Sequence, residues 1–266
     1  LKANQSTPRV PFIDSSAGQP DCDKISTVPL PAGGSLEGES GYTCSSGGDC
    51  HLIVLDTDSK LLYEIWSSSL VSGTLHGTCA IVWDTNKNYW PASDRTFQSK
   101  GRGDQCTSAD AAGFPISALI TSADQVADAI QSGRGDVGHA QRFILPNSTM
   151  RSRSFIHPAT HAGAPSNSDT NAVPYGALLR LKSSFNVAAL PNEAARVIAR
   201  SLQRYGMYLA DGGNIAMNLQ DDSTTTHKWS EWGFSQTDLQ SFKPSDFEMM
   251  PGGQPIALTY DCVRAQ

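Results

Sequence analysis

The stretch CHLIVLDTDSKLLYEIW, residues 50–66, decides the fold class. An apolar run is followed by DTDSK and then by LLYEIW. Two runs rich in β-branched, aromatic and other apolar residues, joined by an Asp/Ser turn, predict a β-hairpin. Asp56 and Asp58 make calcium conceivable in that turn. The stretch lacks the Gly and Glu of an EF-hand loop, so it is read as a turn.

Working outward, GTCAIVWDTNKNYW (residues 77–90) has the form of another strand and turn. AQRFILP (140–146) and SFIHPAT (154–160) predict strands separated by a polar turn, and GALLRLKSSFNV (176–187) and NIAMNL (214–219) predict two more. Two segments carry helical periodicity. In residues 121–133, Ser122 is the expected N-cap, with Val126, Ala129 and Ile130 on the apolar face. In LPNEAARVIARSLQRYGMYLADGG (190–213), Asn192 caps, Val197, Ile198 and Leu202 line one face, and Gly206 ends the helix. SQTDLQSF (235–242) predicts a short third helix. The expected fold is mainly β, a β-sandwich or jelly-roll-like domain over residues 36–266, with two or three short peripheral helices. Residues 1–35, polar and Pro-rich, are read as an extended arm on its surface, held by Cys22.

Composition agrees with many short strands. Charged residues make up 17% of the 266-residue chain, while Gly, Ser, Thr, Asn and Pro are plentiful. A net charge of -6 without clustered Lys and Arg argues against a nucleic-acid partner. No apolar run approaches the roughly 18 residues that span a bilayer, so no membrane insertion is expected. No signal peptide is visible at Leu1, which leaves open that one has been removed. The six cysteines, even in number and irregular in spacing, predict three disulfides and an oxidising compartment, extracellular or periplasmic. The expected pairs are Cys44–Cys50, Cys79–Cys106 and Cys22–Cys262. No CxxC pair points to zinc, and no pattern calls for a cofactor. Asn4 and Asn147 each begin an N-x-S/T sequon.

The phrases CTSADAAGFPI (106–116), HAQRFILP (139–146), HPATHAG (157–163) and LQRYGMYLADGG (202–213) stand in the same order as in a largely uncharacterised family of secreted soil-bacterial proteins. The chain resembles that family over most of residues 35–250. The resemblance implies export and a single catalytic or binding domain. It supplies no reaction and no site residues.

Function is therefore read from side chains. Glu64, Asp84, Asp110 and Asp211 are carboxylates in apolar or small-residue settings, and such a charge needs a partner or a use. A glycoside hydrolase needs two carboxyls, about 5–5.5 Å apart for retention or about 6.5–9.5 Å for inversion. Glu64, Asp84 and Asp110 are the candidates for that pair. Tyr63, Trp66, Trp83, Tyr89 and Trp90 lie near them in sequence and could stack on sugar rings. The competing reading of Asp110 is a residue that bonds the backbone of its own loop.

A second constellation is His139, Arg142, His157, His161, Tyr175 and Arg180. A polysaccharide lyase uses such residues: Arg neutralises a uronate carboxylate, His or Tyr removes the C5 proton, and Tyr protonates the leaving oxygen. The arginines could equally form structural ion pairs. HPATH has i, i+4 spacing, but Pro158 opposes a helix there and no Glu completes a zinc motif. A two-His metal site with a carboxylate from elsewhere stays open, beside the reading that both histidines are polar residues satisfying a loop. No G-x-S-x-G elbow or Walker sequence occurs. The RGD tripeptides at 102–104 and 134–136 carry little weight, and the second reads as a helix cap and turn. The expected partner is a polysaccharide. Hydrolysis by the carboxyl pair leads, elimination follows, and lectin-like binding is third.

Overall fold

A computed structural model describes residues 1–15, 21–45, 47–89 and 101–264. Trp90, one of the expected sugar platforms, lies outside the described residues. Among the described residues the architecture is mainly β with two short α-helices. No closed barrel or sandwich topology is present among the described residues. The chain divides into two compact units. The first holds Leu1–Ser117, Pro158–Ala162 and Leu258–Gln266; the second holds Ala118–His157 and Gly163–Ala257.

In the first unit, β1 (Lys2–Ala3), β4 (Leu52–Asp56), β5 (Leu61–Trp66) and β8 (Cys79–Asp84) form one sheet in the order β1-β4-β5-β8. The second sheet, in the order β3-β2-β7-β6, contains β2 (Arg9–Asp14), β3 (Thr27–Pro29), β6 (Ser69–Val71) and β7 (Thr74–Gly77). The expected hairpin is β4–β5, antiparallel, with Asp56 opposite Leu61. Its turn closes on Asp56, whose Oδ1 accepts the Asp58 and Ser59 amides, so that carboxylate is used by the backbone.

Strand alternation sorts this sheet's side chains onto two faces. Leu52, Val54, Tyr63, Ile65 and Ala80 join Phe12, Val28 and Leu75 of the other sheet in one core cluster. Leu62, Cys79, Ile81 and Trp83 form a second cluster on the opposite face. Glu64 shares that face. The boundary expected at residue 35 is not a boundary of either unit. Residues 1–35 supply β1, β2 and β3, and bury Ala3, Phe12 and Val28.

Three disulfides are present, of which only Cys44–Cys50 was expected. The others are Cys22–Cys79 and Cys106–Cys262, in place of Cys79–Cys106 and Cys22–Cys262. The reason is strand pairing. Parallel pairing of β2 with β7 sets Asp14 beside Gly77, and the Asp23 amide bonds Ala80 O, so Cys22 arrives at Cys79. Cys106 is left for the C-terminal segment, where the Val263 amide bonds Asp104 O.

In the second unit, β9 (Gln141–Leu145), β12 (Leu178–Leu181), β13 (Met207–Gly212), β14 (Ala216–Met217) and β15 (Phe247–Met249) form a sheet in the order β14-β9-β13-β12-β15. A three-stranded sheet joins β10 (Met150–Phe155), β11 (Val173–Tyr175) and β16 (Ile256–Ala257). The polar MRSRS, expected as a turn, is most of β10, which ends before His157. Both expected helices form. In α1 (Ala123–Gln131), Ser122 makes a capping box with Gln125. In α2 (Glu193–Arg204), Asn192 accepts the Ala195 amide, and Gly206 continues the chain at φ +76°. Val126, Ala129, Ala194 and Val197 pack the two helices together. The third expected helix, residues 235–242, is a run of turns instead. Its apolar content, Leu239 and Phe242, is too sparse to bury a helical face.

Candidate functional site

The three carboxylates expected to hydrolyse sugar do not form an open pair. Glu64 is fully buried. Its Oε2 accepts from Trp83 Nε1 at 3.0 Å and the Ile116 amide at 2.9 Å, and its Oε1 accepts the Ser117 amide at 2.8 Å. Burial raises its pKa against these bonds, which favour the anion. Glu64 thus fastens residues 116–117 to β5. Asp84 is exposed at the end of β8, where its Oδ1 accepts the Asn86 amide in a turn. In the β5–β8 register Glu64 faces Ile81, three residues from Asp84 along the strand. The aromatic platforms are also engaged. Trp83 is buried, lies edge-on to Tyr89 at 4.9 Å between ring centroids, and has the Arg102 guanidinium over its ring. Trp66 donates to Asp49.

Of the lyase candidates, all but His161 lie in the second unit. Arg142, on β9, is buried; it donates to Asn218 Oδ1 at 2.9 Å and lies 3.5 Å from Asp211 Oδ2. Tyr175 is fully buried on β11. Arg180, two strands away from β9, forms a half-exposed ion pair with Glu248 at 3.0 Å. His139 Nδ1 bonds the carbonyl of Ala140, and its Nε2 lies 3.1 Å from the Gln125 amide nitrogen. These side chains are spread among ion pairs, core and a helix start. His157 ends the second unit's first segment, while His161 belongs to the first unit, and residues 156–160 are not helical.

What the first unit does assemble is a cradle around His161. Three separated pieces of chain make it: residues 102–113, Pro158–Ala162 and residues 258–264. Cys106–Cys262 ties the first to the third. Thr160 Oγ1 donates to Cys106 O, and the Thr160 amide donates to Ala112 O, tying the second to the first. Gly113 stands at φ +83°, and a Cβ there would come 2.0 Å from Thr160 Oγ1. Only glycine satisfies both constraints.

Asp110 has its role here. It is fully buried, and its Oδ1 accepts the Ala112 amide at 3.0 Å while its own amide is held by Ser108 Oγ. This Asx-type bond fixes the turn whose next carbonyl, Ala111 O, meets His161 Nδ1 at 3.0 Å. A carbonyl only accepts, so in neutral His161 the proton is on Nδ1 and the Nε2 lone pair is free. Nε2 has no hydrogen-bond partner among the described residues. Burial lowers the His161 pKa and so favours the neutral ring, opposed by Ala111 O and the nearby Asp21 carboxylate.

Beside it stands Tyr260, edge-on with ring centroids 5.7 Å apart and 64% exposed. Tyr260 has φ +65°, and Gln105, across from it, has φ +68°. Non-glycine residues in that region carry strain that surrounding contacts must hold. Here the Thr259 amide donates to Gln105 Oε1 and the Gln105 amide to Thr160 O. Tyr260 and Asp21 were not read from the sequence. The available signal was Cys262: a C-terminal cysteine carries its neighbours to wherever its partner lies.

Glu39, Cys44 and Cys50 also converge, but Cys44 and Cys50 are bonded to each other and offer no thiolate. The RGD at 102–104 has its arginine buried in a two-point ion pair with Asp23, and in the second RGD Asp136 is buried against Arg204. No helix among the described residues is long and apolar enough to cross a membrane. Comparisons with protein-family models, with curated proteins and with solved structures each find no match.

Proposed function

We propose that the protein is exported and acts on a polysaccharide by elimination, with His161 as the base and Tyr260 as the aromatic surface against which a sugar ring lies. The observation that carries this reading is the fixed tautomer of His161: Nδ1–H donates to Ala111 O, and Nε2 is an unprotonated nitrogen next to an exposed aromatic. A general base needs that state at its working pH. Nε2 takes the proton from the carbon next to the uronate carboxylate. The electron pair forms the double bond as the glycosidic C–O bond breaks, and the leaving oxygen takes a proton from water or from Tyr260. Asp21 favours the imidazolium that results. Three disulfides support export, since such bonds persist in oxidising compartments.

This reading is preferred to hydrolysis because Glu64 and Asp110 are buried and occupied by backbone donors. A panel of plant, algal and bacterial polysaccharides tests it. Ultraviolet absorbance of an unsaturated product, lost in His161→Gln, is the expected result. New reducing ends without absorbance would return the choice to a hydrolase. Retention of glycan without any cleavage would make the protein a lectin.

A further inference from the structure

The cradle has a second histidine behind it. His51, next to β4, is largely enclosed, its side chain 14% exposed. Its Nδ1 lies 2.7 Å from Glu37 Oε2, and its Nε2 lies 3.0 Å from Ala109 O. Ala109 directly precedes Asp110, so His51 grips one end of the turn that holds His161 at the other. Both partners of His51 are acceptors only. A neutral imidazole has one N–H, so it can bond one of them and must turn a lone pair towards the other. An imidazolium bonds both.

We propose that His51 is a positioning residue that makes the His161 site responsive to pH: charged, it clamps residues 109–112 between Glu37 and the cradle, and on losing its proton it gives up one of the two bonds and loosens the turn. The device serves, and its consequence for catalysis rests on, the reading of His161 as a base. The groups that set its titration are Glu37, by hydrogen bond and by charge, Asp49, by charge, and the Ala109 carbonyl. Burial alone would lower the His51 pKa, and these three together raise it. His161 shifts the opposite way. His161 needs to be neutral and His51 charged, so the two opposite shifts open a window between them in which both conditions hold. Activity would rise with pH as His161 loses its proton and fall as His51 loses its own.

The test does not need a substrate. In the full chain with labelled imidazole nitrogens, nuclear magnetic resonance follows both rings through a pH titration, and hydrogen exchange follows the Gly113 and Thr160 amides. The expected result is that the His161 nitrogens report two transitions, their own and that of His51, and that amide protection falls at the second. Glu37→Gln, a change at an exposed side chain, should move the second transition to lower pH, because it removes the charge that favours the imidazolium. His51→Gln should abolish it while leaving the His161 titration in place. His161 resonances and Gly113 exchange that ignore the His51 titration would overturn the proposal, as would a second transition unmoved by Glu37→Gln. A clamp that behaves as expected in a protein that forms no unsaturated product would uphold the positioning role and sink the base reading alone.

Discussion

Asp110 and His161 meet through the backbone between them. The Asp110 carboxylate holds the Ala112 amide at 3.0 Å, and the intervening Ala111 carbonyl holds the His161 ring at 3.0 Å. The Ala112 carbonyl in turn accepts the Thr160 amide and, at 3.3 Å, the His161 amide. One tight turn therefore fixes both the ring and the backbone of the histidine.

Asp110→Ala should free the Ala112 amide inside the core and cost about 1–3 kcal/mol of stability. The His161 pKa should change with it, because the Ala111 carbonyl loses its fixed direction. Asp110→Asn keeps an acceptor oxygen and should do less on both counts. Denaturant melts and a His161 titration of the two variants check this. Equal behaviour of Ala and Asn would remove Asp110 from the cradle.

Gly113→Ala should be more severe than a surface change of the same size. The new methyl meets Thr160 Oγ1 and Cys106 O, and the φ of +83° disfavours any side chain. A loss of at least about 1 kcal/mol is expected, with His161 displaced. Thr160→Ser/Gly113→Ala would not restore the site, since the hydroxyl that blocks the methyl remains. Unchanged melting of the single variant would contradict this geometry.

Cys262→Ser with Cys106→Ser should lower stability by about 2–5 kcal/mol, because the bridge closes a loop of 156 residues. It should also free Tyr260 from His161. Tyrosine fluorescence quenching by acrylamide would rise, and any glycan affinity would fall. If quenching stays the same, the hydrogen bonds of Gln105 hold the C-terminal segment without the disulfide.

Glu64 gives a stability signature with a defined sign. Its folded pKa is raised, so the folded state holds the proton to higher pH than the unfolded chain does. Its contribution is full below the ordinary glutamate pKa. It declines as pH rises from there through the raised folded value. Glu64→Gln should remove that slope while facing one amide NH2 towards backbone or indole donors, at a cost of about 1–3 kcal/mol. Chemical denaturation across that pH range, compared between wild type and variant, checks it. A wild type whose stability rises over the same range, with no difference in slope from the variant, would refute the assignment.

The local elements were legible because their causes are local. The β4–β5 hairpin follows from an Asp-rich turn between apolar runs, and α1 and α2 follow from Ser122, Asn192 and a 3.6-residue apolar period. The 6-residue Cys44–Cys50 loop was legible for the same reason. The misread MRSRS strand shows the limit. Its polar residues sit between β11 and β16, and that pairing, rather than propensity, makes it β.

The candidate site was half legible. Asp110 and His161 are both candidates in the sequence. Asp110 bonds the backbone of its own loop, which is one of its two sequence readings, while the contact of His161 with Ala111 O is seen only in the fold. A buried carboxylate and a turn carboxylate have the same neighbours in sequence, and only the Ala112 amide distinguishes them. Tyr260 and His51 lie 99 and 110 positions from His161, and nothing in their own surroundings marks them.

By itself, then, the sequence determined the β-rich class, two helices with their caps, the presence of three disulfides and a short inventory of candidate side chains. The tertiary structure alone decided which of those side chains share a neighbourhood. Parallel pairing of β2 with β7 sent Cys22 to Cys79, which left Cys106 for Cys262 and so brought the C-terminal segment to the cradle. Contacts between residues far apart in the chain depend on which strands pair, and strand pairing is a property of the whole core rather than of any one segment.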